Sequence, residues 1–141
     1  MDYKKFLIAV ILSGLIYLIA SNALNLITQA IMPFDWATIG GMRAMNDPLL
    51  AAMFLYGFVA SIGAIVLFER ITLKGDLVNK GAKFGAIMWL ATSVPSAFII
   101  YTTMVYPMGF YLNSLIFGLI TWMLMGIGIA WVYKQETKKK K

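Results

Sequence analysis

The residues best suited to do chemistry in this chain are three amides in its first apolar segment. Asn22, Asn25 and Gln29 fall within about 60° of one another on a helical wheel. An amide that faces lipid is costly, so this polar stripe must face protein or water. The stripe therefore predicts either hydrogen bonds between helices or a polar pocket.

Later segments place further polar side chains at a similar depth in the membrane. Ser93 and Ser96 lie within the third predicted helix, Asn113 lies near the start of the fourth, and Arg43 lies in a loop long enough to fold over them. We predict that these residues and the polar stripe bind a polar or anionic group, such as a lipid headgroup or carboxylate. In the structural alternative, Arg43 pairs with Asp47 and the amides join helix to helix.

The elements that position these residues are read from three stretches without charged residues, 6–32, 49–68 and 84–133. A spanning helix needs roughly 20 apolar residues, so the last stretch forms two helices, divided near Pro107. We predict an all-α integral membrane protein, one domain over 1–141 that forms a four-helix transmembrane bundle. The predicted helices cover about 6–32, 48–68, 81–105 and 109–133. Pro95 is expected to kink the third helix, with nearby hydroxyls satisfying the freed backbone groups.

The distribution of basic residues predicts the orientation. Eleven of the twelve Lys and Arg residues would lie on one side: Lys4, Lys5, Arg70, Lys74, Lys80, Lys83, Lys134 and the lysine tail at 138–141. Arg43 alone would lie on the other side. By the positive-inside rule, both the N-terminus and the C-terminus are cytoplasmic, and the loops at 33–47 and 106–108 are outside. We expect a multi-pass protein, in the cell membrane, with its lysine tail resting on anionic headgroups.

Two consecutive hairpins of the same orientation follow from this topology. Lys5-Phe6 opens the first helix and Lys83-Phe84 opens the third. This likeness fits a parallel repeat and fits chance resemblance among apolar residues, and the sequence leaves both open.

Small side chains on the second and fourth helices predict close helix packing. Their positions are Gly57, Ala60, Ser61, Ala64 and Gly118, and the third helix adds a Gly81-x-x-x-Gly85 pattern. Small residues let membrane helices approach closely. The pattern favours packing within one bundle, and the alternative is the seam of a homo-oligomer.

Composition argues against several classes of function. The chain has no Cys and no His, which removes thiolate metal sites, disulfides and the usual haem ligand. The charge-free stretches hold no carboxylate, which a proton-coupled carrier usually needs. We therefore expect no metal, no cofactor and no enzyme activity, and the net charge of +6 reflects topology rather than nucleic-acid binding.

These patterns predict a non-enzymatic membrane protein surrounded by lipids, which binds a small ligand, a lipid or a protein partner through its outer half. It would act alone or as an accessory subunit of a larger membrane complex. The first alternative is a small transporter or channel acting as a homo-oligomer, because four helices rarely enclose a conduit. A second alternative is an enzyme acting on lipid at the outer interface.

Overall fold

Four long helices make up the fold in a computed structural model that describes residues 2–35, 37, 39, 40, 43 and 46–134. Every regular element among these residues is helical. Four helices are long and apolar enough to cross a membrane, and we number them spans 1 to 4: Tyr3–Ile31, Pro48–Phe68, Leu77–Thr103 and Met108–Tyr133. The prediction of an all-α protein with four spanning helices is confirmed. The lysine tail lies outside the described residues.

Aspartate side chains set where spans 1 and 3 begin. Asp2 accepts a hydrogen bond from the backbone N–H of Lys4 at 3.0 Å, and Asp76 accepts one from that of Asn79 at 3.0 Å. A side-chain oxygen at this position satisfies one of the free N–H groups of the first helical turn. Both helices therefore begin earlier than predicted, because the capping bonds extend each helix beyond its apolar segment.

Span 2 changes helix type along its length. Pro48–Leu55 form a 3₁₀-helix, and the α-helix covers Tyr56–Phe68. Asp47 caps the start by accepting a hydrogen bond from the N–H of Leu49 at 2.8 Å. No side chain of the 3₁₀ segment is buried, so this segment lies beside the bundle rather than in its core. The sequence predicted a helix over 48–68 but not this change of type.

Span 4 is at the centre of the packing. It packs along spans 3 and 1, and span 1 packs along span 2. The pairs 1–2 and 3–4 are the two hairpins expected from the sequence, and their origin as repeats stays a prediction. Spans 2 and 3 are the outer members, and they meet through Phe68 and Phe84, whose ring centroids are 5.0 Å apart.

The buried core lies at one end of the bundle. We call it the basic end, because the Lys and Arg residues near positions 4, 5, 70–83 and 134 flank it. The opposite end, with the connections at 33–47 and 104–107, is the loop end. The core residues are Ala9, Ala64, Ile65, Phe84, Met88, Trp122, Met125, Ile129 and Val132. Each belongs to the half of its span nearer the basic end, so the bundle is held together mainly there.

Small residues bring spans 1 and 2 together within the chain. A Cβ added at Gly57 would lie 2.9 Å from the Cβ of Tyr17, so only glycine fits there. The hydroxyls of Ser13 and Ser61 are hydrogen bonded at 2.9 Å, and both side chains are fully buried. The neighbouring Ala64 is buried and Ala60 packs against the core, so this small-residue face of span 2 is occupied within one chain.

Spans 3 and 4 approach even more closely. A Cβ at Gly85 would lie 2.6 Å from the Cα of Met123 and would also meet the carbonyl oxygen of Trp122. Gly81 meets the backbone of span 4 in the same way, at Ile127. The Gly-x-x-x-Gly pattern therefore serves the packing of spans 3 and 4 rather than a contact between copies of the chain.

Pro95 lies inside span 3, which remains helical from Leu77–Thr103. The hydroxyls of Thr92 and Ser96 bond to the carbonyls of Met88 and Thr92. Because proline has no N–H, the carbonyl four residues before it has no helical donor, and neither hydroxyl bonds to that carbonyl. The prediction that these hydroxyls satisfy the freed carbonyl is therefore wrong.

Candidate ligand-binding cleft

Two adjoining cavities lie between the spans, away from the core. The central cavity, about 260 Å³, lies among spans 1, 3 and 4 and also contacts span 2. The side cavity, about 350 Å³, lies between spans 1 and 2. Both are lined by Tyr17, Ser21, Tyr56 and Asn113, so we treat them as one cleft. Small-ligand pockets usually measure roughly 300–1,000 Å³, so the cleft has room for a small molecule or a headgroup.

The lining of the cleft is polar but uncharged. The described residues that line it include no Asp, Glu, Lys or Arg. Besides the two tyrosines, the polar lining residues are Ser21, Asn22, Asn25, Thr92, Ser93, Ser96, Asn113, Ser114 and Thr121. Such a lining can form many hydrogen bonds while offering no counter-charge to an ion.

A π-helical segment contributes two of these side chains. Leu112–Phe117 form a π-helix within span 4, and the N–H of Gly118 bonds back to the carbonyl of Asn113. A π-helix uses i→i+5 hydrogen bonds, is rare, and is frequent at functional sites. Asn113 and Ser114 both line the central cavity from this segment.

Asn113 is held in place by span 1. Its side-chain oxygen accepts a hydrogen bond from the hydroxyl of Thr28 at 3.3 Å. Thr28 is fully buried, and its single hydroxyl proton is shared between this bond and one to the carbonyl of Leu24 at 3.1 Å. The Asn113 amide nitrogen has no hydrogen-bond partner among the described residues, so two N–H donors remain for an occupant of the cleft.

Tyr17 forms the wall where the two cavities meet. Its ring lies 5.4 Å from that of Tyr56 and 5.8 Å, edge to face, from that of Trp122. Gly57 leaves the space into which Tyr17 packs. Neither tyrosine hydroxyl has a hydrogen-bond partner among the described residues, so both are free to bond an occupant.

Three hydroxyls of the central cavity donate their protons to backbone carbonyls of their own helices. Thr92 donates to the carbonyl of Met88 at 2.7 Å, Ser96 donates to that of Thr92 at 2.8 Å, and Thr121 donates to that of Phe117 at 2.9 Å. A hydroxyl that donates to its own helix keeps its oxygen lone pairs as acceptors. These three side chains therefore present acceptors to the cavity.

Ser93 joins the cavity to the core. Its oxygen accepts a hydrogen bond from the indole N–H of Trp122 at 3.1 Å. Trp122 is 2% exposed and belongs to the core at the basic end. The Ser93 hydroxyl proton has no acceptor among the described residues, and it adds a donor to the cavity lining.

Five of the seven predicted binding residues line the cleft. Ser93, Ser96 and Asn113 line the central cavity, and Asn22 and Asn25 line the side cavity. The structure therefore brings the predicted residues of spans 1, 3 and 4 together around one space.

The two amides of the side cavity differ in their hydrogen bonding. Asn22 donates from its amide nitrogen to the carbonyl of Leu18 at 2.8 Å. The side-chain oxygen of Asn25 is buried and has no hydrogen-bond partner. An unpaired buried oxygen costs about 1–3 kcal/mol.

The structure does not bring Gln29 and Arg43 to the cleft. Gln29 accepts a hydrogen bond from the backbone N–H of Phe34 at 3.1 Å and so fixes the chain beyond span 1. Arg43 forms an ion pair with Asp47 at 2.8 Å, with 58% of its side chain exposed. This bond, with a further one from the N–H of Leu49, holds the pKa of Asp47 below its usual range. Arg43 therefore pairs with Asp47, which is the alternative to ligand binding that the sequence also allowed.

Six polar residues that line the cleft were not among the predicted binding residues: Tyr17, Tyr56, Ser21, Thr92, Ser114 and Thr121. Tyr17 and Tyr56 look like ordinary apolar lining in a hydropathy pattern, and only their positions near mid-span could have singled them out. The pairing of Thr28 with Asn113 gives no signal in the sequence, because the two residues lie 85 positions apart in the chain.

Comparison with protein-family models, with curated proteins and with solved structures found no match to this chain.

Proposed function

We propose that this protein is a non-enzymatic membrane protein that binds a small ligand or a lipid headgroup in the cleft. The observation that carries the proposal is an uncharged polar cleft to which all four spans contribute. A polar space at membrane depth costs free energy unless its groups are hydrogen bonded. An occupant that pairs with these groups removes that cost, which is the driving force for binding.

We propose that the loop end faces outward and that the cleft lies in the outer half of the cell membrane. Eleven of the twelve Lys and Arg residues of the sequence belong to the basic end or the tail that follows it. Arg43 belongs to the loop end. This asymmetry supports the orientation by the positive-inside rule.

Binding is favoured over catalysis by the chemistry of the lining. The nucleophiles in the described lining are hydroxyl groups, and a serine or threonine nucleophile needs an adjacent base. The described lining residues are hydroxyl, amide, tyrosine and apolar side chains, which supply no such base.

The packing at the basic end favours binding over conduction through one chain. A path from the cleft to that end would have to cross Phe84, Met125 and Ile129, each fully buried in the core. Span 2 and span 3 also meet there through Phe68. The cleft is therefore proposed as a binding site with access from its own half of the membrane.

Native mass spectrometry of the protein released from nanodiscs, prepared directly from source membranes, tests the proposal. We expect a retained small molecule or lipid in the wild-type protein and its loss in Ser96→Leu, which fills the central cavity. Thr102→Leu is the matched control, because Thr102 lies on the same span, bonds to its own helix and does not line the cleft. Equal retention in wild-type and Ser96→Leu protein would refute a ligand site in the cleft.

A further inference from the structure

Resting on the proposed function, we infer that the cleft binds an uncharged group with two or more free hydroxyls. Such a group occurs in the headgroup of a neutral lipid and in a free polyol. The class follows from the charge of the lining and from the direction of its hydrogen bonds.

Charge decides the first part of the inference. The described lining holds no ionised side chain, and the cleft lies between membrane spans. A charge buried without a counter-charge is far more costly than a buried hydroxyl. An anionic headgroup is further disfavoured because Arg43, which was expected to neutralise it, is paired with Asp47.

The acceptors of the central cavity require a ligand that donates hydrogen bonds. Thr92, Ser96 and Thr121 have given their protons to backbone carbonyls and offer oxygen lone pairs. Ser21 has done the same, by donating to the carbonyl of Leu18 at 3.2 Å. An ester, ether or ketone, which only accepts, cannot use these four side chains.

The donors of the cavity require that the same ligand also accepts. The amide N–H groups of Asn113 and the proton of Ser93 have no acceptor among the described residues. An ammonium group donates three hydrogen bonds but accepts none, so it would leave these donors unpaired. A hydroxyl donates and accepts from one atom, and the tyrosine hydroxyls of Tyr17 and Tyr56 can take either role.

Binding of defined probes to the purified full-length protein in phosphatidylcholine nanodiscs tests this inference. The lipid probes are a monoacylglycerol with two free hydroxyls, its di-O-methyl ether, and phosphatidylethanolamine, each titrated by native mass spectrometry. Free glycerol, measured by equilibrium dialysis, shows whether the headgroup binds without its acyl chain. Tight binding of monoacylglycerol with weak binding of glycerol identifies the lipid source, and comparable binding identifies the free polyol.

We expect the monoacylglycerol to bind at least tenfold more tightly than the ether, because methylation removes both donors. Thr92→Val and Ser96→Ala should each weaken monoacylglycerol binding roughly fivefold, about one hydrogen bond. Thr102→Val removes a hydroxyl from the same span outside the cleft and should change nothing. The probe comparison uses wild-type protein, so it does not depend on any variant folding.

Equal binding of the monoacylglycerol and its ether, or preferential binding of phosphatidylethanolamine, would overturn the hydroxyl inference. If these probes fail while another molecule is retained from source membranes and lost in Ser96→Leu, the hydroxyl inference is wrong and the proposed function stands. If no molecule is retained and no probe binds, both are wrong.

Discussion

The closest approach of spans 3 and 4 gives a stability prediction whose size can be worked out. Gly85 faces the backbone of span 4, where a Cβ would lie 2.6 Å from the Cα of Met123 and would also meet the carbonyl of Trp122. Carbon atoms in favourable contact are about 3.5–4.0 Å apart, so Gly85→Ala must separate the two helices locally by roughly 1 Å. The contact cannot be relieved by a side-chain rotation, because both opposing atoms belong to backbone.

The cost follows from the contacts that the separation weakens. A gap of about 0.5–1 Å forfeits a quarter to a half of a contact worth about 0.1–0.2 kcal/mol. If about 20 atom pairs at this crossing are affected, the loss is about 0.5–2 kcal/mol. Overpacked cores show penalties of about 1–3 kcal/mol, which agrees with this range. The gain in helix propensity from alanine is small here, because membrane spans stay helical when they separate.

Gly118→Ala is the matched control on the same pair of spans. A Cβ at Gly118 would lie 3.6 Å from its nearest neighbour, the carbonyl oxygen of Asn113, which is ordinary contact. Its unfolding free energy should stay within about 0.5 kcal/mol of wild type. Reversible unfolding in mixed detergent and SDS micelles, followed by tryptophan fluorescence, measures both variants. If Gly85→Ala proves as stable as Gly118→Ala, the close backbone packing of spans 3 and 4 is wrong.

Three further predictions concern topology, ionisation and the π segment. Single cysteines placed at Gly40 and Lys74 should react with an impermeant thiol reagent from opposite sides of the membrane, with position 40 reacting from outside. Reaction of both cysteines from the same side would contradict the four-span topology. Arg43→Gln should raise the pKa of Asp47 in an NMR titration, because it removes the larger cause of the lowering; an unchanged pKa would count against the ion pair. The stabilisation from this pair is present above the ordinary aspartate pKa and is lost as pH falls through the lowered value. Deletion of Ile116 should convert the π segment to α-helix and turn the Asn113 amide away from the cleft. The protein should stay folded but lose its retained ligand. Undiminished retention would show that the π segment does not shape the site.

The sequence predicted the spans well because the bilayer constrains them strongly. A charge-free stretch of sufficient length has few alternatives in a membrane, so the spans were readable from hydropathy and charge alone. Their ends were less accurate, because Asp2 and Asp76 extend spans 1 and 3 through capping bonds that hydropathy does not register. The 3₁₀ start of span 2 and the π segment of span 4 were missed for a related reason: an apolar run has the same hydropathy in every helix type.

Part of the candidate site could be predicted from the sequence, and there is a physical reason why the rest could not. Asn22, Asn25, Ser93, Ser96 and Asn113 were found because a polar side chain inside an apolar span must face away from lipid. Gln29 lies two residues before the end of span 1 and Arg43 lies outside the spans, so the backbone N–H of Phe34 and the carboxylate of Asp47 satisfy them locally. Long-range pairings such as Thr28 with Asn113 depend on which spans are neighbours, and one sequence does not contain that information.

The position of the cleft follows from a contrast along span 4. In the half near the basic end, Gly126 lies against Gly81 and Gly85, and no space remains between the backbones. In the other half the chain winds as a π-helix, whose wider turns carry Asn113 and Ser114 into the cleft. Close packing therefore holds the helices together at one end, while the π segment turns polar groups inward at the other. The polar cleft depends on both features, because tight packing along the whole length would leave no cavity.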